Sequence, residues 1–318
     1  MDFRTVVELP RERVELGPQS GVLLAGSCFA EHIGVRMRTA LPEGAVCVNP
    51  FGVLYNPESL RMALEIAAFG SLFFPEEYLF EGTDGLWHSW LHSSAFSSEK
   101  HEECAERIKA AYEEAAGLLR RADMLCVTFG TNRIYEHRTR GIVVGNCHKE
   151  PAAQFTERSL DVEEICAGWD KLLYDLAEEF PALRVVFTVS PYRYAKYGFH
   201  GSQLAKATLQ LAVARLCAGH PNALYFPAYE IVVDELRDYS FYEADMLHPS
   251  AQAADYVWQR FAEWAFTDEM RDYAAEKAAL EKAEAHRPLH HGSEEHRKFL
   301  ETLERKREAF RRKWATNK

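Results

Sequence analysis

The stretch LLAGSCFA, residues 23–30, decides how this chain folds. Its apolar half leads into Gly26 and Ser27, and apolar residues then recur at helical spacing from Phe29 to Met37. This pattern predicts a buried strand over about 20–26 that turns sharply into a helix. In an open parallel sheet such a turn lies outside the carboxyl end of a strand, where ligands bind. Unpaired backbone N–H groups at the helix start favour negative charge there.

The same alternation of apolar segments and helical stripes continues to about residue 266. Further strands are predicted near 45–48, 124–129, 183–189 and 223–226, with helices between them. This alternation is typical of a parallel sheet that has helices on both faces and right-handed crossovers. The expected fold is α/β, a flavodoxin-like three-layer sandwich whose strands follow the order 2-1-3-4-5.

Two segments interrupt the alternation and are predicted to be insertions. Residues 71–100 combine many aromatic side chains with turns, which indicates either a flap that only packs or a lid or wall of a binding pocket. Residues 133–157 are predicted to hold a hairpin with 142–144 as one arm and Gly141 at its turn.

Beyond residue 267 charged residues dominate, and Pro288 and Gly292 divide the segment. Two helices are expected in this C-terminal extension, 267–318. Either they fold back on the domain as an antiparallel pair, or they form a coiled coil that makes the chain a homo-oligomer, although no strict heptad repeat persists. The histidines in the dividing loop are a weak candidate metal site, because they lie between charged helices; they are His286, His290 and His291.

Composition argues against several classes of function. The formal net charge is −11, whereas general nucleic-acid binding and docking on anionic lipid need a basic patch. No apolar run approaches the roughly 18 residues of a membrane helix, and residues 1–17 lack the order of a signal peptide. The seven cysteines are widely spaced, without a CxxC pair, which fits reduced thiols better than disulfides or zinc. A cytoplasmic location is expected.

Three loops far apart in sequence are predicted to open at one end of the sheet. The first carries Ser27, the second carries Asn132 after the third strand, and the third carries Asp245 and His248 before the last domain helix. A serine hydroxyl becomes nucleophilic when a base takes its proton, and a histidine with an ordinary pKa near 6.5 suits that role. An aspartate three residues earlier can hold the imidazole in the required tautomer. The loops therefore predict a catalytic triad.

The stabilisation of an oxyanion is predicted to come from the same loops. The Asn132 amide, the Ser27 N–H and the N–H of Gly52, after the second strand, are the candidate donors. Each of these motifs also has a structural interpretation, as a turn or a helix cap. Cys28 is a competing nucleophile, and its alternative role is that of a small buried side chain at the first helical turn.

The motifs of residues 2–266 resemble those of the GSCFA-domain proteins, a branch of the SGNH/GDSL hydrolase superfamily. The resemblance rests on several long motifs: Gly26–Ala30, Asn49–Pro57, Phe129–Asn132, Asn146–Lys149, Thr188–Pro191, Phe226–Glu230, Asp234–Tyr242 and Asp245–Ser250. It implies that Ser27 is the nucleophile, that Asn132 is an oxyanion donor, and that the DxxH pair is Asp245 and His248. The superfamily has Asp before its serine, in Gly-Asp-Ser, whereas Gly26 directly precedes Ser27 here.

The function that the resemblance implies is ester chemistry without a metal or cofactor. A serine esterase that acts on short acyl groups, such as the O-acetyl group of a carbohydrate, is the first expectation. An O-acyltransferase and a non-catalytic binding module on the same fold are the alternatives. Polar residues of the neighbouring loops are candidates for binding the substrate: His148, Lys149, Tyr192, Arg193 and His200.

Overall fold

The computed structural model describes residues 5–70, 75–285 and 294–314. In chain order the strands are β1 (Gly21–Gly26), β2 (Val46–Val48), β3 (Leu79–Glu81), β4 (Trp87–Ser89), β5 (Ala122–Phe129), β6 (Arg133–His137), β7 (Ile142–Val144), β8 (Phe155–Ser159), β9 (Arg184–Val189) and β10 (Ala223–Tyr225). The helices are α1 (Cys28–Ala40), α2 (Pro57–Phe69), α3 (His101–Leu119), α4 (Val162–Glu179), α5 (Gly198–Gly219), α6 (Ala228–Glu230), α7 (Ala251–Ala265), α8 (Asp268–Glu284) and α9 (Glu294–Trp314).

The central sheet has the order β2-β1-β5-β9-β10, and all its neighbours are parallel. Counted along the parallel strands alone, this is the predicted order 2-1-3-4-5, and the prediction of an α/β sandwich is confirmed. Alternate residues of β1 enter opposite cores, with Leu23 in one and Leu24 in the other. Because both faces are covered by helices, the strands are mostly apolar.

The turn from β1 into α1 requires glycine at Gly26. Its φ angle is +151°, and a Cβ atom at this position would lie 2.4 Å from the Thr128 carbonyl oxygen of β5. The Gly26 N–H donates to Asn49 Oδ1 at 2.9 Å, and the Gly26 carbonyl accepts from Leu54 N at 3.1 Å. The loop after β2 therefore fixes this turn from one side while β5 fixes it from the other.

The second insertion contains one strand more than the predicted hairpin. The expected hairpin is present as β6 and β7, and β8 pairs with the other side of β6 to make a three-stranded antiparallel sheet. Only Phe155 of β8 is buried, because β8 is an edge strand. A polar edge strand lacks the alternation of apolar residues on which sequence prediction depends.

The first insertion forms a small hairpin, β3 and β4, flanked by short turns of 3-10 helix. Its Phe80 ring stacks on Trp90 with centroids 3.6 Å apart. Trp90 belongs to a separate small cluster with Val144 and Phe155. The aromatic residues of this insertion thus pack against the second insertion.

The C-terminal helices α8 and α9 form an antiparallel pair that packs on α1. Arg307 of α9 meets Glu284 of α8 at 2.6 Å, and the Tyr273 ring contacts Phe310 and Trp314. Lys277 Nζ donates to the carbonyls of Thr39 at 2.7 Å and Leu41 at 2.5 Å. These contacts agree with the folded-back alternative.

The predicted histidine cluster of the extension lies outside the described residues. Among the residues that the structure does describe, no group of His, Cys, Asp and Glu side chains is arranged to hold a metal. Within the same ranges, no helix combines the length and the apolar character needed to cross a bilayer.

Candidate active site

Asp245 and His248 lie on the loop between the single turn α6 and helix α7, and they form a direct pair. His248 Nδ1 is 2.5 Å from Asp245 Oδ2, and Asp245 Oδ1 accepts the backbone N–H groups of Leu247 and His248 at 2.8 and 3.0 Å. The backbone N–H of His248, the imidazole and the Leu247 N–H together lower the pKa of Asp245 to about 2. An ionised carboxylate at Oδ2 makes Nδ1 the protonated ring nitrogen. Nε2 is thereby left as the proton acceptor.

Arg193 holds the loop of Asp245 and His248 through two hydrogen bonds. Its Nη1 donates to the Met246 carbonyl at 2.9 Å, and its backbone N–H donates to the Leu247 carbonyl at 3.1 Å. The neighbouring Tyr192 ring packs on the His248 imidazole with centroids 4.3 Å apart. Arg193, which the sequence predicted as a substrate ligand, therefore positions the histidine loop.

His248 lines a cavity of about 620 Å³ at the carboxyl end of the sheet. One wall comes from the second insertion, and the opposite wall comes from the loop after β9. Much of the lining is aromatic, from Tyr55, Tyr135, Tyr192, Tyr194 and Tyr197. Cys28 reaches the same cavity from the start of α1, and Thr131 reaches it from the loop after β5. None of the described residues of the first insertion contributes to the lining, which agrees with the packing alternative for that segment.

Ser27 and Cys28 occupy different environments. Ser27 is the N-cap of α1, its Oγ accepts the Phe29 N–H at 3.3 Å, and only 1% of the residue is exposed. It is not part of the cavity lining. Cys28, half-buried, is part of that lining, and burial followed by the charge of Glu31 raises its thiol pKa. The Cys28 thiol is therefore protonated at neutral pH.

The GSCFA family model matches residues 21–261, and a second model, the C-terminal domain of GSCFA domain proteins, matches residues 278–318. This chain belongs to the GSCFA family. No curated protein matches it. Among solved structures, a protein from Streptococcus pneumonia that is provisionally named as a platelet activating factor aligns with a TM-score of 0.40 and 10% identity. That alignment covers 76% of the GSCFA chain and 84% of the other.

Most of the predicted oxyanion donors of the GSCFA chain are already hydrogen-bonded within the protein. The Ser27 N–H donates to the Thr128 carbonyl at 3.3 Å, and the Gly52 N–H donates to the Asn49 carbonyl at 2.8 Å. In this conformation neither N–H can serve a ligand, because each completes the structure of its own turn. The Cys28 N–H, at the first position of α1, contacts its own thiol, which partly offsets the effect of burial on the thiol pKa.

Asn132 is buried beside the cavity, not on its lining. Its side-chain Nδ2 donates to the Leu160 carbonyl at 2.8 Å, and its backbone carbonyl accepts the Leu160 N–H at the same distance. The side chain thus ties the end of β5 to the segment that follows β8. Its Oδ1 is buried without a partner among the described residues, and one amide hydrogen is left over.

The remaining predicted substrate residues separate into one buried and two exposed positions of the GSCFA domain. His148 is buried, with Nε2 donating to the Ser89 carbonyl at 2.8 Å and Nδ1 placed 3.2 Å from Ser94 Oγ. Burial lowers its pKa, and its role is to join the two insertions. Lys149 and His200 are exposed and outside the cavity lining. Of the predicted ligands, only Tyr192 lines the cavity.

Lys206 was not predicted, although it supports the floor of the site. Its buried Nζ donates to the carbonyls of Gly130 and Ser190, each at 2.6 Å, and so joins the ends of β5 and β9. Burial lowers its pKa to about 7. A sequence signal exists: Lys206 interrupts the apolar stripe of α5 that continues at Leu209 and Val213.

Proposed function

We propose that this GSCFA protein hydrolyses acyl esters through a covalent acyl-enzyme, with the Asp245–His248 pair as its base. One observation carries the proposal. A histidine that is oriented by a carboxylate shares a cavity with a nucleophilic side chain at the start of a helix. Nucleophile, base and orienting acid are the parts that acyl transfer requires.

The reaction proceeds in two halves. The nucleophile attacks the ester carbonyl while His248 Nε2 takes its proton, and the ionised Asp245 stabilises the imidazolium that forms. The tetrahedral intermediate collapses as the imidazolium returns the proton to the departing alcohol. Water, activated in the same way, then releases the acid. No step of this sequence calls for a metal or a redox cofactor.

Two side chains compete for the role of nucleophile, and the geometry favours Cys28. Cys28 lines the cavity with His248, and it lies in the first turn of α1, where backbone N–H groups favour negative charge. Ser27, which the resemblance favours, is buried and caps α1. Because the Cys28 pKa is raised, the attack depends on proton removal by His248. In this assignment Ser27 fixes the start of the helix that presents the thiol.

The proposal is tested by turnover of 4-nitrophenyl acetate and by mass-spectrometric mapping of the acyl adduct. Cys28→Ala is expected to lose on the order of 10⁴-fold or more in kcat, and His248→Ala about 100- to 10,000-fold. Ser27→Ala is expected to keep most activity and to lose about 1 kcal/mol of stability, as for other N-caps. An adduct on Ser27 assigns the reaction to the serine. Absence of both turnover and adduct in the wild-type protein refutes the proposal.

An O-acyltransferase is the second candidate, favoured by the largely aromatic lining of the cavity. Aromatic walls exclude water from an acyl-enzyme, which leaves a bound alcohol as the better acceptor. Addition of methyl glucoside to the ester assay separates the two functions: a transferase forms the acylated glucoside faster than free acid, whereas a hydrolase forms acid at an unchanged rate. If the wild-type protein binds an ester without any turnover, the binding-module alternative is supported.

A further inference from the structure

The cavity extends well beyond the histidine and carries a cation that the reaction itself does not use. Arg133 begins β6 and is half-buried in the cavity wall. Its guanidinium lies over the Tyr197 ring, with the central carbon 4.5 Å from the ring centroid. No acceptor among the described residues takes a hydrogen bond from this guanidinium, and no carboxylate of theirs pairs with it.

The other charged side chains that line the cavity have partners within the protein. Lys196 pairs with Glu157 at 3.6 Å and also contacts the Tyr135 hydroxyl. Glu150 accepts the Thr83 N–H at 2.8 Å and a Gln154 amide hydrogen at 3.1 Å. Arg133 is therefore the cation of this lining, within the described residues, whose charge has no protein partner.

The position of Arg133 is fixed even though its hydrogen bonds are unused. Stacking on Tyr197 holds one face of the guanidinium plane, and Tyr197 is itself held by a bond of 3.1 Å between its hydroxyl and that of Tyr135. A planar, stacked guanidinium presents its N–H groups as a fork that matches a carboxylate bidentately. Such a preorganised fork binds with little loss of side-chain entropy.

The surrounding walls suit a sugar ring as the part of the ligand that carries the carboxylate. The tyrosine rings that line the cavity offer flat apolar faces with hydroxyl groups at their edges. Asn146 joins the lining, and its Oδ1 already accepts the backbone N–H of His148 at 2.8 Å. Flat faces with polar rims suit a pyranose ring, which has apolar C–H faces and hydroxyls around its edge. A volume of about 620 Å³ lies within the roughly 300–1,000 Å³ typical of small-molecule sites.

We propose that the ligand of this cavity is an acylated sugar acid whose carboxylate is bound by Arg133. The inference deepens the proposed esterase function and rests on it for the acyl group alone. Binding of the deacylated sugar acid needs only the cavity and Arg133, so it can be tested without turnover.

The binding test uses methyl glucuronoside and its neutral 6-methyl ester, titrated calorimetrically into the wild-type protein, Arg133→Gln and Arg133→Lys. The wild type is expected to prefer the acid, and Arg133→Gln to weaken acid binding by about 10- to 100-fold, the usual loss for a charge-assisted pair. Binding of the methyl ester should change less than about twofold. Arg133→Lys keeps the charge without the fork, so it is expected to restore part of the loss.

The control is Arg312→Gln, which removes the same charge from an exposed position on α9. It is expected to bind the acid as the wild type does. Equal binding of acid and methyl ester by the wild type, or equal losses in both Arg133→Gln and Arg312→Gln, overturns the inference.

A kinetic arm places the carboxylate on the sugar or on the acyl group. The acetyl ester of methyl glucuronoside is compared with the hemisuccinyl ester of methyl glucoside, and kcat/KM is measured for each. The proposal requires that Arg133→Gln lower kcat/KM selectively for the first. A selective loss for the second assigns Arg133 to an acidic acyl group and overturns the sugar-acid assignment. Binding of the acid through Arg133 without hydrolysis of any ester sustains this inference while the esterase function fails.

Discussion

At the scale of single residues, Asp245 determines how the site responds to pH. Its pKa is lowered to about 2, so the carboxylate stays ionised at every pH above about 4. We expect the pH profile of kcat/KM to show no step from protonation of this carboxylate above about pH 4. The stability that this carboxylate contributes is present above its unfolded pKa, near 3.9, and is lost as the pH falls through about 2. Acid unfolding above pH 4 must therefore have another origin.

Substitution of Asp245→Asn tests the orienting role. The amide removes the charge and offers a donor where Nδ1–H needs an acceptor, so Nε2 becomes the protonated nitrogen. A fall in kcat of about 10⁴-fold is expected, as in other triads, while circular dichroism stays unchanged. Glu243→Gln, on the same loop, is the comparison for a simple loss of charge. A loss below tenfold in Asp245→Asn would contradict the assigned tautomer.

Lys206 leads to a prediction at higher pH, where a lowered pKa destabilises the fold instead of stabilising it. Its folded pKa, about 7, lies below the usual 10.5, so the unfolded chain binds the extra proton between these values. Stability is penalised below pH 7 and rises as the pH climbs from 7 to about 10. Lys206→Met removes this slope and leaves the Gly130 and Ser190 carbonyls without their donor. Urea unfolding at pH 6, 8 and 10 should show the free energy of unfolding of the wild type rising relative to that of the variant. The rise should be at most about 5 kcal/mol. A difference that is independent of pH would refute a shifted lysine.

The sequence anticipated these residues unevenly. The spacing of Asp245 and His248 is short, so their pairing could be predicted from one loop. Ser27 and Cys28 are adjacent, and which of them faces the cavity depends on the φ angle at Gly26 and on where α1 begins. Arg133 contacts Tyr197 and Lys206 contacts Gly130, each more than fifty residues away in the sequence, and no local pattern encodes such contacts.

At the scale of elements, α4 is the helix whose start the sequence defined best. Asp161 and Glu164 form a capping box, with the Glu164 N–H 2.8 Å from Asp161 Oδ1 and the Asp161 N–H 3.0 Å from Glu164 Oε2. Asp161→Ala is expected to cost about 1 kcal/mol of unfolding free energy, measured with urea. Glu163→Ala alters the charge of the same first turn without removing the cap, so it should cost less than half as much. Equal costs would mean that charge, not capping, stabilises the turn.

The strands of the central sheet could be predicted because they are buried on both faces, which leaves an apolar run in the sequence. The edge strand β8 and the hairpin of β3 and β4 could not, since one side of each faces solvent or another insertion. Their register depends on cross-strand partners such as Tyr135 and Glu157. Such pairing is fixed by the tertiary structure.

At the scale of the whole molecule, the C-terminal pair bears on oligomeric state. Tyr273, Phe310 and Trp314 already pack against one another within one chain, so few apolar groups are left for a coiled coil. We expect light scattering to give the monomer mass of 36.3 kDa. Lys277→Met removes the bonds to the end of α1 and should speed hydrogen exchange in α9. Lys282→Met, at an exposed position of the same helix, is the matched control. A stable dimer of the wild type would favour the coiled-coil alternative.

Helix α1 spans 13 residues, or about 20 Å, and is gripped at both of its ends. Lys277 holds the last carbonyls, while Gly26 and Ser27 anchor the first turn, where Cys28 meets the cavity. The helix is rigid, with the C-terminal extension bound at one end and the Cys28 thiol at the other. A mutation, proteolytic cut or bound partner at the extension would therefore shift the Cys28 thiol relative to the cavity. Loss of the contacts between the extension and α1 should lower the proposed esterase activity without changing any side chain of the cavity.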